Sequence, residues 1–171
     1  MPDDTPATSV TADDQQQGDR REPLWLDAAE QRAWRQLAAV ILKLPSELEA
    51  RLQRDAGMSH FEYWVIALLS ETPDRTLRMS QLAARANASL SRLSHVMSRL
   101  EKRGWATRRP CPDDARATLA VLTDTGWDEV VAAAPGHVAT VRQLVFDGLD
   151  PEDVDELARV CGAILERLDG A

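Results

Sequence analysis

Apolar residues recur three and four positions apart through most of the chain, the period of helices that bury one face. Between Asp27 and Asp55 the stripe is Trp34, Leu37, Ala38, Ile41, Leu44, Leu48 and Leu52, and Gly57 follows it. Asp27 with Glu30 three residues later resembles a capping box, and Pro45 is expected to kink this helix because its ring clashes with the preceding turn. Ser59 and Glu62 make a second capping box, opening a helix that turns Tyr63, Val65, Ile66 and Leu69 inward and stops at Thr72-Pro73-Asp74. A short third helix covers Met79–Ala86, with Asn87 suited to the turn after it. Ser89 then caps a fourth helix, Leu90–Arg103, closed by Gly104. On that helix Leu90, Leu93, Val96, Met97 and Leu100 form the apolar stripe, and Ser91, Arg92, Ser94, His95, Ser98, Arg99 and Lys102 occupy the rest. Two short helices joined by a tight turn, the second polar and basic on its free face, predict a helix-turn-helix.

The period then changes. Trp105–Arg109 and Ala117–Leu122 predict two strands around the turn residues Pro110–Ala115, a β-hairpin wing directly after the helix-turn-helix. Thr123 caps a fifth helix from Asp124 to about Phe146, with a break or kink expected at Pro135-Gly136 and Gly148 closing it. Asp150-Pro151-Glu152-Asp153 starts the last helix, striped by Val154, Leu157, Ala158, Cys161, Ile164, Leu165 and Leu168. The expected fold is mainly α: a winged helix-turn-helix of four helices, a strand–wing–strand and two more helices. Its divisions would be an acidic, disordered tail over residues 1–21, an N-terminal helix over 22–56, a winged helix over 57–122 and C-terminal helices over 123–171. The apolar stripes at both chain ends exceed what a small winged helix needs, so a helical dimerisation region is their expected use.

Charge sharpens the picture. Residues 75–116 hold ten Arg or Lys against three acidic side chains, a net of +7, while the other residues carry −15 of the total of −8. A basic island in an acidic chain points to nucleic acid, because phosphate neutralisation supplies most of the affinity for a duplex. A solvated charged face, or a winged helix used for protein–protein interaction without DNA reading, is the alternative. The island argues for DNA, since a protein-docking face needs no basic stripe.

Other classes find little footing. No apolar run nears the ~20 residues of a membrane helix, and the N-terminus is too acidic for a secretory or mitochondrial signal, so no membrane association and a cytoplasmic location are expected. Cys111 and Cys161 form no disulfide framework; Cys111, between two prolines, is expected to be exposed and Cys161 to lie in a core. His60, His95 and His137 share no ligand spacing with each other or with the cysteines, so no metal and no cofactor are expected. No phosphate loop, zinc-protease motif or nucleophile elbow is present, and Asp113-Asp114 sits in a turn without an apolar pocket to part its pKa values. The chain is not expected to be an enzyme.

Leu100-Glu101-Lys102-Arg103-Gly104-Trp105, then Asp114-Ala115-Arg116 and Leu122-Thr123-Asp124-Thr125-Gly126, resemble the MarR family of bacterial winged-helix regulators. Asp114-x-Arg116 resembles the family's wing signature and Leu122-Thr123-x-x-Gly126 the entry to its fifth helix, and the resemblance spans Asp27 to Leu168. It implies a homodimer that places two copies of the fourth helix in successive major grooves of a pseudo-palindromic operator, most simply as a repressor. The DNA-binding residues would be Ser89, Ser91, Arg92, Ser94, His95, Arg99, Arg108 and Arg116, with Arg116 entering the minor groove and Asp114 supporting the wing. It further implies release by a small, often anionic or phenolic effector, for which Trp34, His60 and Trp64 are candidate pocket residues, although tryptophans at helical spacing serve more often in a core or dimer interface than in a ligand cage. The family's Thr-Arg pair in the middle of the recognition helix is replaced here by Ser94-His95, so its base preference does not transfer.

Overall fold

Asp27, Ser59, Ser89, Thr123 and Asp150 each close a helix start with the side chain expected to cap it. The structure is a computed structural model that describes residues 24–170; the acidic tail expected over residues 1–21 lies outside the described residues. The chain divides into two compact units, Met1–Ala38 and Ala39–Ala171, and the boundary falls within the first helix, α1 (Ala28–Ala56).

In the N-terminal unit Asp27 Oδ1 accepts the N–H groups of Ala29 and Glu30 at 2.7 and 2.8 Å, and Glu30 Oε2 accepts the Asp27 N–H at 2.8 Å. This reciprocal pair satisfies donors that a helix start otherwise leaves open. Trp25 and Trp34 are exposed.

The larger unit holds the end of α1, then α2 (His60–Ser70), β1 (Thr76–Arg78), α3 (Met79–Arg85), α4 (Leu90–Lys102), β2 (Ala106–Cys111), β3 (Asp114–Leu122), α5 (Asp124–Val141) and α6 (Pro151–Asp169). Ser59 and Glu62 close the predicted box on α2, and Ser89, Thr123 and Asp150 cap α4, α5 and α6. Asn87 and Gly104 take positive φ of 47° and 75°, turning the chain into and out of α4. The core gathers Met58, Val65, Ile66 and Leu69 around α2, Leu82 of α3, and Leu93, Met97 and Leu100 of α4, all fully buried.

Helix α1 runs through Pro45 and α5 through Pro135 without interruption, so the chain does not break at Pro135-Gly136; α5 passes instead into a π-helical turn at Arg142–Phe146. At Pro45 the missing N–H leaves the Ile41 carbonyl without its backbone donor. The wing is longer than predicted. Strand β3 pairs antiparallel with β2 and with the unforeseen β1, in the order β1-β3-β2. Pro110 sits within β2, an edge strand, beside the register shift at Pro110/Cys111, the two settings in which a strand accommodates proline. Cys111 pairs with Asp114 across a tight turn at Pro112-Asp113, and a register shift at Pro110/Cys111 turns the thiol inward, so Cys111 is buried and not exposed. Cys161 is exposed and not in a core, because α6 buries none of its residues: Leu157, Val160, Ile164, Leu165 and Leu168 are all exposed. Leu90, expected on the inner stripe, is 54% exposed in the first turn of α4, and Trp64 is also exposed.

Candidate nucleic-acid interface

The recognition helix begins where Ser89 Oγ accepts the Arg92 N–H at 3.2 Å. Burial of Leu93, Val96, Met97 and Leu100 fixes its rotation and leaves Ser91, Arg92, His95, Arg99 and Lys102 exposed. Of the predicted contacts, Ser91, Arg92, His95 and Arg99 therefore share one accessible face. Ser89 Oγ accepts this cap bond while its O–H stays available as a donor at the exposed helix start.

Two of these arginines are held from below. The Arg92 guanidinium lies 4.1 Å above the Phe61 ring, and Arg99 Nε donates to Glu62 Oε1 at 2.8 Å. Glu62 is 4% exposed, and its other oxygen accepts the Ser59 N–H at 2.8 Å. Burial pushes this carboxyl up, but Ser59 and Arg99 outweigh it and hold the pKa below the ordinary 4.5. Phe61 and Glu62 were not foreseen in this role, although the capping box had already marked Glu62 as fixed in place.

Arg108 is placed differently from the other predicted contacts. Its Nε and Nη2 bind both oxygens of Glu101 at 3.0 and 2.6 Å, and its Nη1 and Nη2 also donate to Ser94 and Ser98 at 3.1 and 3.0 Å. The hydrogen bond from Arg108 holds the Glu101 carboxyl below its usual range and raises the guanidinium in turn. Arg108 thus fastens β2 to α4 and takes up the Ser94 hydroxyl. Arg75 and Arg103 are likewise engaged. Arg75 stacks on Trp127 at 4.1 Å and binds Asp124 at 3.0 Å, while Arg103 stacks on Trp105 at 4.5 Å and donates to the Gly57 carbonyl at 2.8 Å. Much of the basic island is mortar between elements, a use that composition alone does not separate from phosphate binding.

In the wing, Asp114 Oδ1 accepts the backbone N–H of Arg116 at 3.0 Å and Oδ2 lies 3.7 Å from Arg78 Nη1. Asp114 therefore braces the turn and links it to the start of α3, while Arg116 is exposed. Arg116, Arg78, Leu90 and Ser94 border one groove between α3, α4 and the wing.

Trp34 lies in the N-terminal unit, and in the larger unit Trp64 is exposed while His60 is half-buried. The His60 ring lies 5.8 Å from that of His137, which in turn is 4.5 Å from Tyr63. His137, missed by the sequence reading, borders a cavity of about 160 Å³ between α1 and α5 with Arg51, Asp55 and Glu129, and its Nδ1 is buried without a hydrogen-bond partner. Burial lowers the pKa of both imidazoles; Glu49 opposes the shift at His60, and His60 adds to it at His137. Among the described residues no three His, Cys, Asp or Glu gather closely enough to hold a metal ion, and no helix is long and apolar enough to cross a membrane.

The MarR family model matches residues 56–117, from the end of α1 to the wing. Sco3205, a MarR family transcriptional regulator from Streptomyces coelicolor solved in complex with DNA, is 46% identical and superposes with a TM-score of 0.83 over 85% of this chain and 92% of its own. The chain belongs to the MarR family. AbsC, another MarR family transcriptional regulator from Streptomyces coelicolor, is 39% identical with a TM-score of 0.82 over 86% of this chain and 99% of its own. The HTH-type transcriptional repressor YetL of Bacillus subtilis is 26% identical over 112 residues, 66% of this chain and 66% of its own length. Membership places this MarR chain among winged-helix transcriptional regulators and not among enzymes. It also gives the Leu122-Thr123-x-x-Gly126 motif a physical meaning. Thr123 Oγ1 donates to the Gly104 carbonyl at 2.7 Å and accepts the Gly126 N–H at 3.0 Å, tying the start of α5 to the end of α4.

Proposed function

We propose that this MarR regulator is a homodimeric repressor that acts in the cytoplasm and reads a pseudo-palindromic operator with two copies of α4. The observation that carries the reading is the exposed face of α4, with Arg92, His95 and Arg99 in a row and Arg116 displayed on the neighbouring wing. Arg92 and Arg99 have the reach for guanine edges or backbone, Ser91 sits where helix N–H groups favour phosphate, and Arg116 suits a narrow minor groove. Sco3205 was solved with DNA and YetL is named a repressor; both support the same role here. Dimerisation through both chain ends is supported by the apolar stripe of α6, which no part of its own unit covers. The proposed division of labour keeps residues 57–122 as the reading head and residues 22–56 and 123–171 as the dimerising helices.

Release by a small anionic or phenolic effector completes the proposal. Such a molecule must favour one head spacing over another, or it shifts nothing. The cavity beside His137 is the supporting feature, since it abuts α5, which leads out of the wing; His60 adjoins it through His137, and Trp34 and Trp64 remain candidates by their sequence alone.

Selection of duplexes from a random pool tests the reading. Two half-sites about one helical turn (~34 Å) apart, with two chains bound per duplex, are expected. Enrichment of an unpaired half-site bound by a single chain overturns it.

A further inference from the structure

The first turn of α2 lies directly beneath the exposed face of α4, in a groove bordered by Glu49, Phe61, Ser91, Arg92, His95 and Arg99. Two consecutive residues of that turn meet the two arginines one each: the Phe61 ring lies under the Arg92 guanidinium, and the Glu62 carboxylate binds Arg99 Nε. We propose that Phe61 and Glu62 are positioning residues for operator recognition, holding Arg92 and Arg99 in the orientations in which they meet the duplex. This rests on the reading that the free face of α4 contacts DNA.

The chemistry favours positioning over direct contact. Glu62 is buried, so its carboxylate does not face incoming phosphates, and both its oxygens are already bound. Engaging Arg99 through Nε leaves the two Nη groups at the tip, an end-on fork that matches guanine O6/N7 or a phosphate. Arg99 keeps 53% of its side-chain exposure, so the fork stays accessible. Phe61 is half-buried against the core and therefore a rigid platform; stacking fixes the plane of Arg92 while leaving its N–H groups at the rim free for acceptors. An arginine already ordered loses less freedom on binding than one free in solvent, and orientation matters most for base-edge contacts. Nonspecific binding depends chiefly on charge and is indifferent to the plane of a guanidinium. Phe61 and Glu62 should therefore govern selectivity.

Glu62→Gln is the informative change. Its single carbonyl oxygen can keep the Ser59 N–H, while the amide presents N–H donors to Arg99 in place of an acceptor. Full-length protein is titrated against the selected duplex and a scrambled duplex of equal length. Glu62→Gln and Phe61→Leu are each expected to weaken specific binding about tenfold and nonspecific binding less than about twofold. Phe61→Tyr, which keeps the ring, should restore selectivity. In double-mutant cycles Glu62→Gln should add nothing to Arg99→Ala, and Phe61→Leu nothing to Arg92→Ala. Equal loss on both duplexes, or additive effects in the cycles, overturns the positioning role. If Arg92→Ala and Arg99→Ala weaken specific binding while Phe61→Leu and Glu62→Gln do not, the positioning role alone falls. If the arginine variants themselves leave specific binding unchanged, the reading of α4 beneath it falls too.

Discussion

Gly126→Ala should damage this fold more than its size suggests. A Cβ at Gly126 would run into the Trp105 carbonyl oxygen and stand 2.8 Å from its carbon and 2.7 Å from Leu122 Cδ1. Both sides of the closest contact are backbone, so no rotamer change relieves it. Reaching even 3.0 Å requires α5 and the start of β2 to part by about 1 Å. That same carbonyl accepts the Thr123 N–H at 3.1 Å, and separation stretches this bond as well. Overpacking costs about 1–3 kcal/mol and a weakened hydrogen bond about 1 kcal/mol, against a helix-propensity gain of about 1 kcal/mol for alanine. A net loss of about 1–3 kcal/mol lowers Tm by roughly 2–12 °C in a chain of this size. The assay is a thermal melt at fixed protein concentration, because dimerisation would make Tm concentration-dependent. Gly136→Ala, with nothing within 4 Å of its added Cβ, is the control and should melt at the wild-type temperature or slightly above. A Gly126→Ala protein melting within about 2 °C of wild type would refute the close approach on which the argument rests.

Arg116→Ala should lower the salt slope of duplex binding by about one unit per chain, read from affinities at several salt concentrations. Glu101→Ala removes a half-exposed ion pair and should cost about 1 kcal/mol or less in urea denaturation. His60 and His137 are held neutral by the fold, with pKa values below the ordinary 6.5. The unfolded chain therefore binds protons first: their stabilising effect is complete above pH 6.5 and is lost as pH falls from there through the folded values. His137→Gln should flatten that slope in melts recorded across the interval. Buried Cys111 should react with a thiol reagent far more slowly in native than in urea-unfolded protein, as mass analysis of the wing peptide would show.

Caps and periodicity made most of the helices legible, because Ser59, Ser89, Thr123 and Asp150 satisfy local donors whatever the tertiary context. β1 was illegible. It spans three residues, too few for a period, and exists because β3 offers it a partner. Its entry depends on Arg75 at φ 52°, a conformation disfavoured for arginine and held by Trp127, Asp124 and the Leu122 N–H bonded to the Arg75 carbonyl. The cysteines were misplaced for opposite reasons: a register shift turned Cys111 inward, and Cys161 follows a stripe that α6 leaves unburied. The exposed arginines of α4 followed from the apolar stripe opposite them. Their supports on α2 did not, since Glu62 and Arg99 are 37 positions apart and only the folded chain joins them.

Whether the exposed, cationic face of α4 meets a DNA duplex is decided by the affinity for the selected operator between 50 and 200 mM salt, for wild type and for Arg92→Ala/Arg99→Ala. If each dimer makes six or more phosphate contacts, wild-type affinity should fall about a thousandfold or more across that range, and the double variant should lose operator preference. Salt-independent binding, or a double variant that still prefers the operator as strongly as wild type, would contradict the account.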